Sequence, residues 1–236
     1  MLLLLFLGAR RAVAQSQGQL SAWDGLVLSP VGALVPIARA PGDLAAGHDE
    51  LSLRYGRWRY DSEDAVHDNI GLAWTRGLGF ARAQVTVTAA YEMVECPTCS
   101  SWAAGGIDVQ STLWEHGVAS AEQRQLRTGI ALCLSLGGAK VSGAEASTAG
   151  STAISLPIDV GFPLGRTSWL SATIVPGYGF GHVTGPDFAA GGLLPMIGGA
   201  ISWNATSRMS VNIGAQQVIL SGAPSQVGAA LSWKLR

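Results

Sequence analysis

The sequence predicts an all-β fold: a transmembrane antiparallel up-and-down β-barrel of about ten strands, with eight and twelve as the alternatives. Three observations predict it. Between glycine, proline and asparagine breaks, segments alternate apolar and polar residues with period two, the period at which a strand turns successive side chains to opposite faces. Most of these segments run roughly eight to fourteen residues; a tilted strand needs about 9–11 to cross a bilayer, and soluble strands average about five or six. Charged residues make up 13% of the 236, about half the share in a soluble domain. Hydrophobic residues reach 48%, yet no central run is long enough for a membrane helix and no stretch holds a clean helical period.

The strands follow in order. Leu51–Tyr60 and Asn69–Arg76 form a first hairpin. Phe80–Tyr91 has the clearest alternation: Ala81, Ala83, Val85, Val87, Ala89 and Tyr91 oppose Arg82, Gln84, Thr86 and Thr88. In Trp102–Trp114, Ile107, Val109 and Leu113 oppose Asp108, Gln110 and Thr112. In Gln125–Gly137, Leu126, Ile130, Leu132, Leu134 and Leu136 oppose Arg127, Gly129, Ala131, Cys133 and Ser135. Thr152–Phe162 sets Ile154, Leu156, Ile158, Val160 and Phe162 against Ser155, Asp159 and Gly161. Ser168–Gly181 sets Leu170, Ile174, Tyr178 and Phe180 against Ser171, Thr173, Gly177 and Gly179. Leu193–Trp203 is mostly apolar or small, Arg208–Val218 alternates around Ser210 and Asn212, and Gln226–Leu235 sets Val227, Ala229, Leu231, Trp233 and Leu235 against Ser232 and Lys234.

In hydrocarbon, each backbone N–H and C=O must be satisfied within the protein, which leaves helices or closed sheets. With helices excluded by periodicity, a closed sheet remains, greasy outside and small or polar inside. The 31 glycines suit a narrow lumen, and Arg54, Arg82, Asp108, Arg127, Asp159 and Lys234 are placed there, with mixed signs that allow internal ion pairs. Tryptophans near strand ends (Trp58, Trp74, Trp102, Trp114, Trp169, Trp203) fit an interfacial girdle, although the alternation turns Trp58 and Trp114 inward. Connections alternate between long ones, such as Gly138–Ser151 and His182–Gly192, and shorter ones at Gly77–Gly79, Pro163–Thr167 and Asn204–Ser207, which are read as periplasmic; Glu115–Arg124 is long for that side.

Residues 1–14 read as an export signal. Leu2–Leu7 is an apolar run, and Ala12-Val13-Ala14 before Gln15 fits a small-x-small cleavage site. Residues 15–49 form a lead-in, a plug or an extra strand, and residues 50–236 form the barrel. Cys96-Pro97-Thr98-Cys99 falls in a connection. Its two cysteines fit a disulfide first and a metal pair second, although no further cysteine pair is present to complete a metal site. His67 and His182 fall at one rim near Asp64, Asp68 and Asp187 and read as polar rim residues. No catalytic residue, metal site or cofactor is assigned, and the net charge of -1 gives no reason to expect a nucleic-acid partner.

The export signal, the repeated long amphipathic strands and the terminal strand Val227-Gly228-Ala229-Ala230-Leu231-Ser232-Trp233-Lys234-Leu235 together resemble the small bacterial outer-membrane β-barrel proteins of the OmpA/OmpX-like and opacity-protein class. The resemblance covers roughly residues 50–236. It implies location in the bacterial outer membrane, contact with its lipids, and delivery by the barrel assembly machinery, which in such families reads a terminal strand ending in an aromatic residue. Here the chain ends Leu235-Arg236, with Trp233 just before. The resemblance implies a structural or adhesive barrel or a narrow passive pore, with small solutes or extracellular ligands met at the loops. The alternatives are an outer-membrane hydrolase or acyltransferase with catalysts at the rim, and a soluble secreted β-barrel binding module. The last of these requires the apolar faces to point inward.

Overall fold

The computed structural model describes residues 46–59, 66–80, 82–95, 102–117, 126–141, 147–165, 168–184, 189–219 and 225–235. The strands are β1 (Asp49–Arg59), β2 (Val66–Gly77), β3 (Ala83–Glu95), β4 (Trp102–His116), β5 (Arg127–Val141), β6 (Ser147–Ser155), β7 (Ile158–Pro163), β8 (Trp169–Thr184), β9 (Ala189–Asn204), β10 (Met209–Val218) and β11 (Ser225–Leu235). The pairs β6 and β7 are halves of one strand. Both pair with β5 on one side and β8 on the other, in continuous register. The break falls at Pro157, which has no N–H to give the ladder; its carbonyl still accepts from the Ala131 N–H, and the Leu156 N–H donates to the Pro176 carbonyl.

Each strand pairs antiparallel with its chain neighbour, and β1 pairs with β11 over eleven register positions, from Asp49↔Leu235 to Arg59↔Ser225. The sheet therefore closes into a ten-stranded antiparallel barrel with no free edge. Closure leaves no ladder position for an additional strand, so the eight- and twelve-strand alternatives fall away. Residues 1–45 lie outside the described residues.

The stagger follows from the register. Stepping from Arg54 through Gly71, Ala90 and Ala104 reaches Ala139 on β5. Stepping the other way through Ala230, Asn212, Ser202, Ser171 and Gly161 reaches Arg127 on the same strand, twelve residues away. For ten strands about 4.7 Å apart, that stagger sets a tilt of about 40° and a backbone radius of about 10 Å. Such a tube is narrow enough for side chains to fill.

Three sequence expectations need correction. The strands run further than the alternation indicated. Within the segment read as a long connection at Gly138–Ser151, β5 runs to Val141 and β6 begins at Ser147; within His182–Gly192, β8 runs to Thr184 and β9 begins at Ala189. Connection length therefore does not distinguish the two ends. Arg82 is not in the lumen: it sits in the turn just before β3, at φ 43°, with its side chain 71% exposed. Trp114 faces outward. Leu113 is an extra residue in β4 (the register passes from Thr112↔Ala131 to Trp114↔Ile130), and one extra residue flips every later side chain to the other face.

Candidate functional site

The polarity of this barrel is inverted relative to a soluble one. Alternate residues on each strand point out, and these are the large apolar ones: Leu53, Leu72, Val87, Ile107, Leu134, Leu136, Ile154, Ile174, Ile201, Ile213 and Val227 are all exposed. Leu136 is 60% exposed, Ile201 58% and Ile213 64%, values that would be costly in water for so many neighbouring side chains. The buried positions are Ser52, Asn69, Thr75, Thr86, Thr88, Ser135, Ser151, Ser171, Thr173, Ser202, Asn212 and Ser232, among small Ala and Gly. This is the assignment of faces that the alternation gave, and it opposes the inward-apolar arrangement that a soluble module requires.

The outward apolar surface is a bounded band. On β8 it runs from Leu170 to Phe180. Ten steps of about 3.3 Å tilted by about 40° give roughly 25 Å, the height of the apolar band on an outer-membrane barrel. One margin, at the end where β1 begins and β11 finishes, carries outward Trp74, Trp114 and Trp203. The Trp203 Nε1–H donates to Ser168 Oγ at 3.0 Å, and Trp114 stacks on His116 with centroids 6.2 Å apart. The other margin carries outward Tyr55, Tyr91, Tyr178 and Phe180. Beyond it the outward residues turn polar: Arg57 and Asp68 form an ion pair at 4.0 Å, the Tyr55 hydroxyl donates to Asp68, and Lys140, Thr148 and His182 are exposed. Trp102 departs from the girdle expectation, since it faces inward and is buried. Trp58 lies in β1, but its side chain is outside the described residues.

Inside, the predicted lumen residues fall into separate layers. Near the tryptophan margin, Arg127 reaches Asp159 (Nη2–Oδ2, 3.7 Å) and Glu115 (Nε–Oε1, 3.8 Å), while Thr173 Oγ1 donates to Asp159 Oδ1 at 3.0 Å. Glu115 also meets the exposed Arg82 at 3.3 Å. Lys234 is half-buried on the inward face of β11, opposite the fully buried Glu50 of β1. Midway along the tube, Asp108 accepts a hydrogen bond from Ser135 and lies within electrostatic reach of Arg54. Farther along, the apolar side chains Ala90, Met196 and Val218 pack together, with Ala153 and Leu194 against them. These residues come from β3, β6, β9 and β10, so an apolar constriction crosses the lumen.

The alternation missed several inward residues. Glu115 was read as connection, and the β4 bulge is what turns it inward. Glu50 and Glu92 fall just beyond the ends read for Leu51–Tyr60 and Phe80–Tyr91, yet they are fully buried on the inward faces of β1 and β3, because both strands run further than the alternation indicated. Cys96 and Cys99 lie outside the described residues, as do Asp64 and Asp187. Cys133 is a free thiol beside Ser135. His182 faces outward on β8, while Asp68 is on β2 with four barrel strands between them either way round, so the sheet separates them. The side chain of His67 is outside the described residues. Among the described residues, no group of three or more His, Cys, Asp or Glu is placed to hold a metal ion.

No protein-family model matches the sequence, and no curated protein matches it. Solved structures with a similar chain path include the attachment invasion locus protein Ail of Yersinia pestis, 9% identical, covering 80% of this chain and 99% of that one with a TM-score of 0.35. The transport unit of the autotransporter AIDA-I from Escherichia coli is 11% identical, covering 92% and 97% with a TM-score of 0.42. The β domain of the Bordetella autotransporter BrkA is 10% identical, covering 80% and 100% with a TM-score of 0.43. These likenesses are distant, and no residue role is carried over from them.

Proposed function

We propose that this chain is an integral β-barrel of the bacterial outer membrane whose lumen is closed by its own side chains, and that it acts as a structural or adhesive protein rather than a diffusion pore. The observation that carries the membrane reading is the inverted polarity: a continuous exposed apolar band of roughly bilayer height around a polar interior. Lipid acyl chains complete that surface. The tryptophan margin lies at the periplasmic headgroups and the tyrosine margin at the outer ones, with Lys140, Thr148 and His182 beyond the bilayer on the extracellular side. The terminal strand β11 is the segment offered to the assembly machinery.

The Ala90–Met196–Val218 constriction supports the closed lumen, and at the periplasmic end the ion pairs of Arg127 with Asp159 and Glu115 fill the wall along the adjacent strands β4, β5 and β7. Adhesion, on this reading, belongs to the extracellular connections. The experiment is purification in detergent, gel migration with and without boiling, and single-channel recording in planar bilayers. The expected result is faster migration of the unboiled form and no regular conductance steps. Folding without detergent into a water-soluble monomer would remove the membrane reading, and regular open-channel steps from the unaltered chain would remove the closed lumen.

A further inference from the structure

The apolar outer surface does not end at one height. Trp203, Leu170 and Phe162 stand in one register row on β9, β8 and β7, and Leu126 follows at the start of β5, one position before the Arg127↔Gly161 pair. Register rows are inclined to the tube axis. At a tilt of about 40° with strands about 4.7 Å apart, each step along this row drops about 3 Å toward the end where β1 begins. Leu126 therefore lies about 9 Å below Trp203, and Leu164, two residues past Phe162, about 11 Å below it. A headgroup layer is only about 5–8 Å deep, so these side chains pass beyond the lipid that the tryptophan margin marks. Phe80 and Leu113 continue the surface. Phe80 is in the β2–β3 turn and, at 68%, is the most exposed large apolar side chain among the described residues. The Thr112 N–H, next to Leu113, donates to the Arg82 carbonyl of that turn. The arc runs over β3, β4, β5 and β7. On β2 the outward face is already charged two residues after Trp74, with Arg76 paired to Asp49 at 3.6 Å.

We propose that this one-sided arc is a docking surface for the chain's own segment at residues 26–38, which covers it from the periplasm. The segment lies outside the described residues, and its sequence carries the argument. From Gly25 to Ala38 no side chain is charged, and Asp24 and Arg39 bound the run. Leu26, Val27, Leu28, Leu34, Val35 and Ile37 need cover as the arc does. Thirteen residues are too few for a membrane helix, which needs about 20, and the closed sheet has no ladder position to offer them. The point of entry selects this side of the rim. The Gly47 N–H donates to the Gly77 carbonyl at 2.9 Å, and the Gly77 N–H donates to the His48 carbonyl at 3.0 Å. The chain thus enters β1 beside the turn that carries Phe80. The nine residues from Ile37 to residue 46 extend up to about 30 Å, whereas the arc from β3 to β7 spans three strand steps, about 14 Å. The inference rests on the membrane reading, which sets the depth of the tryptophan margin.

The test is photo-crosslinking of the full chain folded in phosphatidylcholine vesicles. Phe80→p-benzoylphenylalanine puts a probe on the arc, and Ile174→p-benzoylphenylalanine puts one within the apolar band as a reference. Heat-dependent gel migration identifies folded chains, and mass spectrometry of the monomer band after proteolysis locates the adducts. The expected result is a bond from the Phe80 probe to residues 26–38 of the same molecule, and from the Ile174 probe to lipid. Leu34→Asp, outside the barrel strands, is expected to lower the Phe80 adduct about tenfold. A Phe80 probe that labels lipid, a second copy or nothing, while the Ile174 probe labels lipid, overturns the proposal and leaves the membrane reading standing. So does an adduct that Leu34→Asp leaves unchanged. An Ile174 probe that labels no lipid removes the membrane reading, and the proposal with it.

Discussion

Replacing Arg127 with methionine tests how the interior of this tube is held. The Arg127 side chain is 7% exposed and that of its partner Asp159 is 0% exposed, so neither charge has ready access to solvent. At 3.7 Å the attraction is about 4.5 kcal/mol for an effective dielectric of about 20, before any desolvation is counted. The folded protein has already met the desolvation cost of both ions. Removing only the cation returns part of that cost but strands the carboxylate of Asp159 beside Thr173, and breaking one side of a buried pair typically costs about 3–5 kcal/mol. Arg127→Met is therefore expected to lower the unfolding free energy by about 3–5 kcal/mol. The second arm is the double variant with Asp159→Leu. With both charges gone the carboxylate that has lost Arg127 is Glu115, which keeps Arg82 at 3.3 Å, and the double variant is expected to regain most of the loss. The assay is reversible denaturant unfolding in lipid vesicles or micelles, followed by tryptophan fluorescence and checked by gel migration. A loss under about 1 kcal/mol in Arg127→Met would refute the reasoning, because it would mean that water already screens the pair.

The outer face makes a depth-dependent prediction. Leu72→Arg, in the middle of the apolar band, is expected to cost about 2–4 kcal/mol in phospholipid vesicles, whereas Ile219→Arg, beyond the tyrosine margin, costs about 0–1; equal costs would remove the bilayer from the account. Two glycines separate backbone crowding from side-chain crowding. A Cβ on Gly177 would lie 2.8 Å from the Ile154 carbonyl oxygen, while one on Gly150 would meet the His182 ring at 2.6 Å. Gly177→Ala should destabilise by about 1–3 kcal/mol and Gly150→Ala by clearly less, since an exposed imidazole swings aside and a paired strand does not. A thermal melt of both variants gives the ranking, and a reversed order defeats it. Arg82→Gly relieves a left-handed backbone in the β2–β3 turn and loses only an exposed ion pair with Glu115. A gain of up to about 1 kcal/mol is expected, and a loss of that size would show that the ion pair matters more than the strain.

Much of the fold was written in the alternation. The ten strand positions, the outward leucines and the inward serines and threonines follow from a period of two, because a strand has only two faces and this sequence separates its residues cleanly between them. The faces of Arg54, Asp108, Arg127, Asp159 and Lys234 were legible for the same reason. Strand ends were not: at Gly138–Ser151 and His182–Gly192 small residues look like connection, yet a ladder continues through them because both neighbouring strands supply partners.

What only the tertiary structure decided depends on counting residues across strands. One extra residue at Leu113 turned Trp114 out and Glu115 in, and no local pattern reveals a bulge whose partner lies on another strand. Arg82 left the lumen because the turn, not the strand, claimed its position. The pairing of Arg127 with Asp159 arises from the register of β5 against β7, in which Arg127 lies opposite Gly161 and Gly129 opposite Asp159. A sequence fixes which face a side chain takes; register between distant strands fixes which side chains meet.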